Sequence, residues 1–508
     1  MPTRATQRNS RFDPIPSVKA QAAISVNVAA SAPASATAIG VPVGETGGVP
    51  VQVGLDREAL KAAGFEGKVG QALALPQAGG TSIIAIGTGN TRQLDAAKLR
   101  DAAAAFARAA ARHGRLATTL ADASSIKPDV AAQVITEGVL LARYRYEPLK
   151  GGTPATPVEE LTLISGQAAA MRRGIDRGRT MAATAMLARD LANAPPAHLT
   201  ATRMAQVATD IGGRSGLKVE VFDKDALVRL GCGGLLGVNA GSTEPPRMIK
   251  LTYRPRGARS AKGLRHLTLV GKGIMYDSGG ISLKPSDAMH LAMKMDMAGA
   301  GAVLASMSAL SALGCKNAVT GYLMCTDNMP SGSATKLGDV LTIRGGKTVE
   351  VRNTDAEGRL ALADGLVLAT EERPDAIVDI ATLTGAMMRA LGTGMSGVLG
   401  NNQRFVDQVL AAARASDEPA WQLPLDKRYR KQIDSDIADL NNLGGEQPGA
   451  ITAGLFLAEF VGDTPWAHID IAGPMKSDEE DSWRVKGATG YGARLLVELA
   501  MNFTAVRR

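Results

Sequence analysis

The sequence predicts an α/β protein in two parts: an N-terminal α/β domain joined by a long helix to a larger α/β domain with a mixed central sheet. Three observations predict it. The chain runs to 508 residues, more than one ordinary core accommodates. Short β-rich runs alternate with helical stretches through both halves. A proline-free stretch, Gln167 to Asn193, separates the halves and stops at Ala194-Pro195-Pro196, where the prolines deny further helical hydrogen bonds.

Residues 1–21 carry Arg4, Arg8, Arg11 and Lys19 among prolines, with no apolar stretch or cleavage site of a secretory signal, and are expected to be a disordered tail. Residues 22–166 form the N-terminal domain. Ile24–Val28, Ala38–Val43, Ser82–Gly87 and Leu161–Ile164 read as strands, and Ala96 to His113 and Val130 to Tyr144 as helices. Residues 167–196 are the linker helix. Residues 197–508 form the second domain, opening with a helix from Thr200 to Gly212 and a strand from Leu217 to Phe222. Met248–Tyr253 and Leu267–Gly271 read as adjacent central strands, and Lys272–Pro285 as a loop beyond the carboxyl end of the second, where open α/β sheets bind ligands. Met297 to Leu313 is rich in Ala, Gly, Ser and Met, which lets a helix press closely on a sheet, and Asp296 stands at its start, where a carboxylate can cap.

Composition narrows the function classes. No 18-residue apolar run exists, so no membrane-spanning helix is expected. Three cysteines far apart fit neither a disulfide framework nor a zinc cluster, and a reducing cytoplasm is the expected home. The five histidines form no H-E-x-x-H pairing, so a metal site must rely on carboxylates. The net charge of +8 comes from scattered basic residues, which does not indicate nucleic-acid binding.

The chemistry concentrates in Asn353-Thr354-Asp355-Ala356-Glu357-Gly358-Arg359-Leu360, a corner between the strand-like Thr348–Val351 and the helical Ala361–Ala369. In extended backbone, side chains two apart share a face, so Asp355 and Glu357 can aim at one point. Two hard anionic ligands invite a divalent cation. With Lys272, Asp277, Lys284, Asp296 and Arg359 the chain offers four acids and three bases at strand ends and helix starts. Clustered carboxylates repel unless cations neutralise them, and a pair of ions about 3.5–4 Å apart does so while activating a water.

Val270–Ile274, Asp277–Ser282, Lys284-Pro285 and the octet resemble the leucyl (cytosol) aminopeptidase family, as do Asn328–Gly332, Asp379–Ala386, Gly449–Ala453, Trp466–Gly473 and Gly487–Gly492. The resemblance covers about residues 185–500 and makes the second domain the catalytic one. It implies a metal-dependent aminopeptidase that releases N-terminal residues, leucine preferred, from peptides with a free N-terminus. It implies two ions per chain, Mn or Zn, held by Lys272, Asp277, Asp296, Asp355 and Glu357, with Asp277 and Glu357 shared and Lys272 a neutral amine. Lys284 would stabilise the oxyanion, and Arg359 would hold a bicarbonate acting as general base. Met293 and Thr382 match positions near the first side-chain pocket, and relatives assemble as hexamers. Met275 departs from the small or hydroxyl-bearing residue the family more often has there. Two other readings stand beside this one: a DNA-binding regulator of the same fold, and a non-peptidase two-metal hydrolase such as a phosphoesterase. Steep salt dependence in a shift assay would mark the first, and phosphate-ester hydrolysis the second.

Overall fold

The computed structural model describes residues 12–123, 125–152, 155–255, 257, 264–445 and 447–506. Two compact units divide the chain. One comprises Ile15–Met186 with Ser477–Gly487; the other comprises Met1–Pro14, Leu187–Lys476 and Ala488–Arg508. The helix Ala168–Asn193 is continuous through residue 186, where the first unit passes into the second.

The first unit is built on six strands, β1 (Ser25–Ala29), β2 (Ala38–Val43), β3 (Ala72–Pro76), β4 (Ser82–Gly87), β5 (Arg115–Thr118) and β6 (Glu160–Ile164), in the order β1-β6-β5-β2-β4-β3. All pair in parallel except β3 on β4. Helices Ala96–Ala109 and Pro128–Ala142 supply much of the core through Leu99, Phe106, Ile135 and Leu141. They meet closely: a Cβ on Gly138 would lie 2.4 Å from Arg100 O.

Two expectations change here. Arg4, Arg8 and Arg11 of the expected tail lie outside the described residues, but Pro16–Ala22 is a helix, begun by a proline whose missing N–H is no loss in the first turn. Ser477–Gly487, expected in the catalytic domain, belongs to the first unit. The polar run Ser477–Asp481 hides its reason, Trp483, which is 2% exposed and joins Val485 in the core with Phe106 and Ile135. Glu480 of the same excursion pairs with Arg108 at 3.3 Å and Arg145 at 2.9 Å.

The second unit carries the predicted mixed sheet. Its strands are β7 (Lys218–Phe222), β8 (Arg247–Tyr253), β9 (His266–Asp277), β10 (Ala318–Asn328), β13 (Ala376–Ala381), β14 (Ser396–Gly400), β15 (Ala420–Gln422) and β17 (Trp466–Asp470). They run in the order β15-β14-β17-β13-β9-β10-β8-β7, and β17, β13, β9 and β10 are mutually parallel. A small sheet sets β12 (Thr348–Glu350) between β11 (Val340–Thr342) and β16 (Leu440–Asn441). The small-residue helix Ala298–Ala309 lies against the parallel centre, where a Cβ on Gly271 would come within 2.6 Å of Ala300 Cα. The carboxyl ends of β9, β10 and β13 therefore open on one side of the sheet, the side where such folds bind ligands.

Candidate metal centre

Strand β9 runs on to Asp277, so Lys272 and Asp277 stand on a strand and not on the expected loop. Gly271 and Gly273 are places where neighbours press too close for a side chain: a Cβ on Gly273 would sit 2.7 Å from Met324 O. Pairing with β10 continues through Gly273↔Cys325 and, past an irregularity, to Asp277↔Asn328.

Lys272 is 3% exposed and its ammonium has three partners at 2.8 Å: Asp296 Oδ1, Thr382 O and Glu357 Oε1. Room for it comes from Gly358, where a Cβ would lie 2.5 Å from Lys272 Cε. Asp296 does not cap the helix behind it. Met297 holds that position, and Asp296 Oδ1 accepts from Thr382 Oγ1 at 2.7 Å. A buried ammonium and hydroxyl outbid the helix N-terminus for this carboxylate.

Asp277 Oδ1 accepts from Asn328 Nδ2 at 2.8 Å and Gly279 N at 2.9 Å, while its Oδ2 lies 2.8 Å from Lys284 Nζ. Lys284 also pairs with Asp355. The octet forms the expected corner, with its helix beginning at Gly358, but Asp355 and Glu357 converge through a turn and not through extended chain. Asn353 Oδ1 accepts from Asp355 N at 2.7 Å, an Asx turn, and Glu357 already has helical φ and ψ of −75° and −36°. As a result one carboxylate oxygen each from Asp277, Asp355 and Glu357 lie within 4.8 Å of one another.

The electrostatics are those of a site short of positive charge. Four carboxylates, Asp277, Asp296, Asp355 and Glu357, face two ammonium groups, Lys272 and Lys284, with the Arg359 guanidinium beside Glu357 the one further cation of the predicted set. Burial, and then Asp277, raise the Glu357 carboxyl against the pull of Lys272. Burial also raises Asp296 well above the ordinary carboxylate range, against Lys272, and raises Asp355, where Asp277 adds to it. Burial alone would lower Lys272, but Asp296, Glu357 and Asp277 together carry it above the usual lysine value. Lys284 is likewise raised by Asp277, Asp355 and Glu357 over the opposing effect of burial. With only side chains present, then, Lys272 is an ammonium; a neutral amine there requires added positive charge. Glu357 Oε2 is buried without a hydrogen-bond partner, and so are Nε and Nη1 of Arg359, whose guanidinium burial pushes down to about 10. A hard-oxygen cluster with a negative surplus and an orphaned carboxylate oxygen fits divalent cations.

Family comparison turns this geometry into an identity. The model of the cytosol aminopeptidase family catalytic domain matches residues 186–497, and that of the family's N-terminal domain matches residues 53–152. The chain belongs to the cytosol aminopeptidase family. It is a metal-dependent aminopeptidase acting on peptides. A relative from Streptomyces coelicolor named "probable cytosol aminopeptidase" is 44% identical, over 87% of this chain and 88% of its own. One of the same name from Chlorobaculum tepidum is 45% identical, over 74% of this chain and 76% of its own. Among solved structures, the bottromycin maturation enzyme BotP in complex with Mn superposes with a TM-score of 0.84 at 36% identity, covering 92% of this chain and 99% of that one.

The centre also holds aminopeptidase residues to which the sequence assigned no role. Asn328 donates to Asp277 and to Thr354 O at 2.9 Å, and Thr354 Oγ1 donates to Gly279 O at 2.7 Å, tying the octet to the end of β9. Asp470 accepts from Thr384 Oγ1 at 2.7 Å and Leu383 N at 3.2 Å beside Arg359. His468 is held by Asp379 at 2.6 Å, and Trp466 Nε1 donates to the same carboxylate at 2.7 Å. Each lies within or beside a motif that carries the resemblance; for Asn328 and Asp470 the signal is a polar residue ending an apolar strand. Met293 is 7% exposed, and Thr382 spends its hydroxyl on Asp296 and its carbonyl on Lys272. No described helix is long and apolar enough to cross a membrane.

Proposed function

We propose that the chain is a two-cation leucyl-type aminopeptidase, working in the cytoplasm as a homohexamer on peptides with a free N-terminus. The observation that carries the metal reading is the convergence of Asp277, Asp355 and Glu357 within 4.8 Å, beside Lys272 and Asp296. These five residues would hold two divalent ions, Mn or Zn, with Asp277 and Glu357 shared. Such ions activate water and polarise a peptide carbonyl.

The chain's own residues do the rest. Lys284, with 16% of its side chain exposed, is the ammonium best placed to turn toward a developing oxyanion. Arg359 keeps Nε and Nη1 unpartnered in the buried region beside Glu357 and Asp470, N–H groups free to donate to an anion such as bicarbonate. Such an anion would serve as base, because no histidine stands among the described ligand contacts. Met293, apolar and nearly buried, together with Thr382, would line the first side-chain pocket and favour leucine. The test is hydrolysis of aminoacyl amides, with free and blocked amino termini, by metal-stripped enzyme refilled with single ions. Cleavage of blocked substrates, or full activity without metal, would overturn the proposal.

A further inference from the structure

Asn442 stands one residue beyond β16 and is fully buried, at 0% exposed. β16 pairs in parallel with β12, the strand that leads into the octet, and Asn442 N extends that pairing by donating to Glu350 O at 3.0 Å. Its side chain then spends its capacity on one segment. Oδ1 accepts from Arg352 N at 2.8 Å and Asn353 N at 3.3 Å; Nδ2 donates to Asn353 O at 2.7 Å and Ala356 O at 3.3 Å. Two acceptor sites and two donors are all that an asparagine amide offers, and all four go to backbone between residues 352 and 356.

That segment presents the two carboxylates of the octet. Asn442 fixes the backbone of Asn353, and Asn353 in turn receives the N–H of Asp355. Asn442 also fixes the carbonyl of Ala356, the residue between Asp355 and Glu357. Thr354 is held separately, through Ser282, Gly279 and Asn328. The nearest substitutes do not fit: aspartate would face two carbonyls with an oxygen, glutamine is a methylene too long, and alanine leaves the Arg352 and Asn353 N–H groups unpaired. From this geometry we infer that Asn442 is a positioning residue of the metal centre, holding Asp355 and Glu357 at cation-binding separation against their mutual repulsion. The inference rests on the proposed reading of those two carboxylates as ligands.

The test uses the full chain, stripped of metal and titrated with Mn²⁺, reading bound Mn by equilibrium dialysis and turnover against free Mn. Asn442→Ala should keep the parent's Mn stoichiometry and most of its turnover at saturating Mn. Its midpoint should rise roughly ten- to a hundredfold, the usual effect of losing a residue that orients ligands. Asn317→Ala is the structural control: Asn317 Nδ2 anchors Ala500 O at 2.9 Å and Phe503 O at 3.1 Å, so its loss should lower thermal stability and leave the Mn midpoint unmoved. If Asn442→Ala does not fold, Asn442→Ser decides. A folded variant with a midpoint within about twofold of the parent's overturns the inference, and failure of both variants to fold makes Asn442 a structural residue only. Glu357→Ala separates the two levels. Full Mn stoichiometry in that variant overturns the ligand reading itself, whereas loss there with an unmoved Asn442 midpoint overturns only the positioning role.

Discussion

Gly358→Ala adds one methyl at the start of the helix that follows the metal-site corner, with a large expected effect. On helix propensity alone the change stabilises, by up to about 1 kcal/mol. The new Cβ, however, would lie 2.5 Å from Lys272 Cε, 2.7 Å from its Nζ and 2.8 Å from its Cδ. Ordinary contact needs roughly 1 Å more. The octet backbone is held from both sides, so the lysine must give way and lose at least one of its three 2.8 Å partners. A charge-assisted hydrogen bond is worth about 1.5–3 kcal/mol, so the clash outweighs the propensity gain and leaves a net loss of about 0.5–2 kcal/mol. Function should suffer more than stability, because a 1 Å misplacement at a reacting centre costs about a hundredfold in rate. The assay is leucyl-amide turnover at saturating Mn²⁺ alongside denaturant unfolding. Gly213→Ala is the comparison: it lies inside the helix Ala201–Ser215 with nothing within 4 Å of its added Cβ, and should be neutral or slightly stabilising at full activity. Parent-like turnover in Gly358→Ala would refute the idea that Lys272 is confined at the centre.

Chelation should abolish leucyl-amide hydrolysis, with Mn or Zn restoring it, and Glu357→Ala should cost one bound ion and most activity, both read by metal analysis beside turnover. Lys284→Ala should lower turnover by about a hundredfold or more. Arg359→Ala should lower it less and should erase any stimulation by bicarbonate in carbonate-depleted buffer; a parent-like bicarbonate response would place the anion elsewhere. His468 is raised despite its burial by Asp379, with Asp470 adding and Arg359 opposing. A raised folded pKa stabilises fully below the unfolded value of about 6.5 and is lost as pH rises through the folded value. Denaturant unfolding of the parent should therefore show stability falling above pH 6.5, and Asp379→Asn should flatten that fall.

The convergence of Asp277, Asp355 and Glu357 was legible because they sit in two long motifs whose charged residues have little structural excuse. The mixed sheet was legible from its apolar runs. Less legible was what depends on distant pairing. Lys272–Pro285 read as a loop after the strand ending at Gly271, whereas hydrogen bonds from β10 keep Lys272 to Asp277 in the sheet. Asp296 beside a helix looked like a cap until a buried lysine 24 residues earlier in the chain claimed it. Trp483, inside a charged run, gave no local sign of the core it completes.

That tryptophan bears on how the polypeptide reaches its native state during synthesis. The unit that is translated first, Ile15–Met186, lacks Trp483 and Val485 until the ribosome has made almost the whole protein. Early domains ordinarily fold as they emerge. Here the first must close without them, and the contacts that segment brings are distant in sequence, as with Arg108 Nη2 donating to Arg484 O across 376 positions, the kind of long-range closure that slows folding. Removing the last thirty or so residues, far from Ile15–Met186 in sequence, would leave that early unit with an aromatic-sized hole.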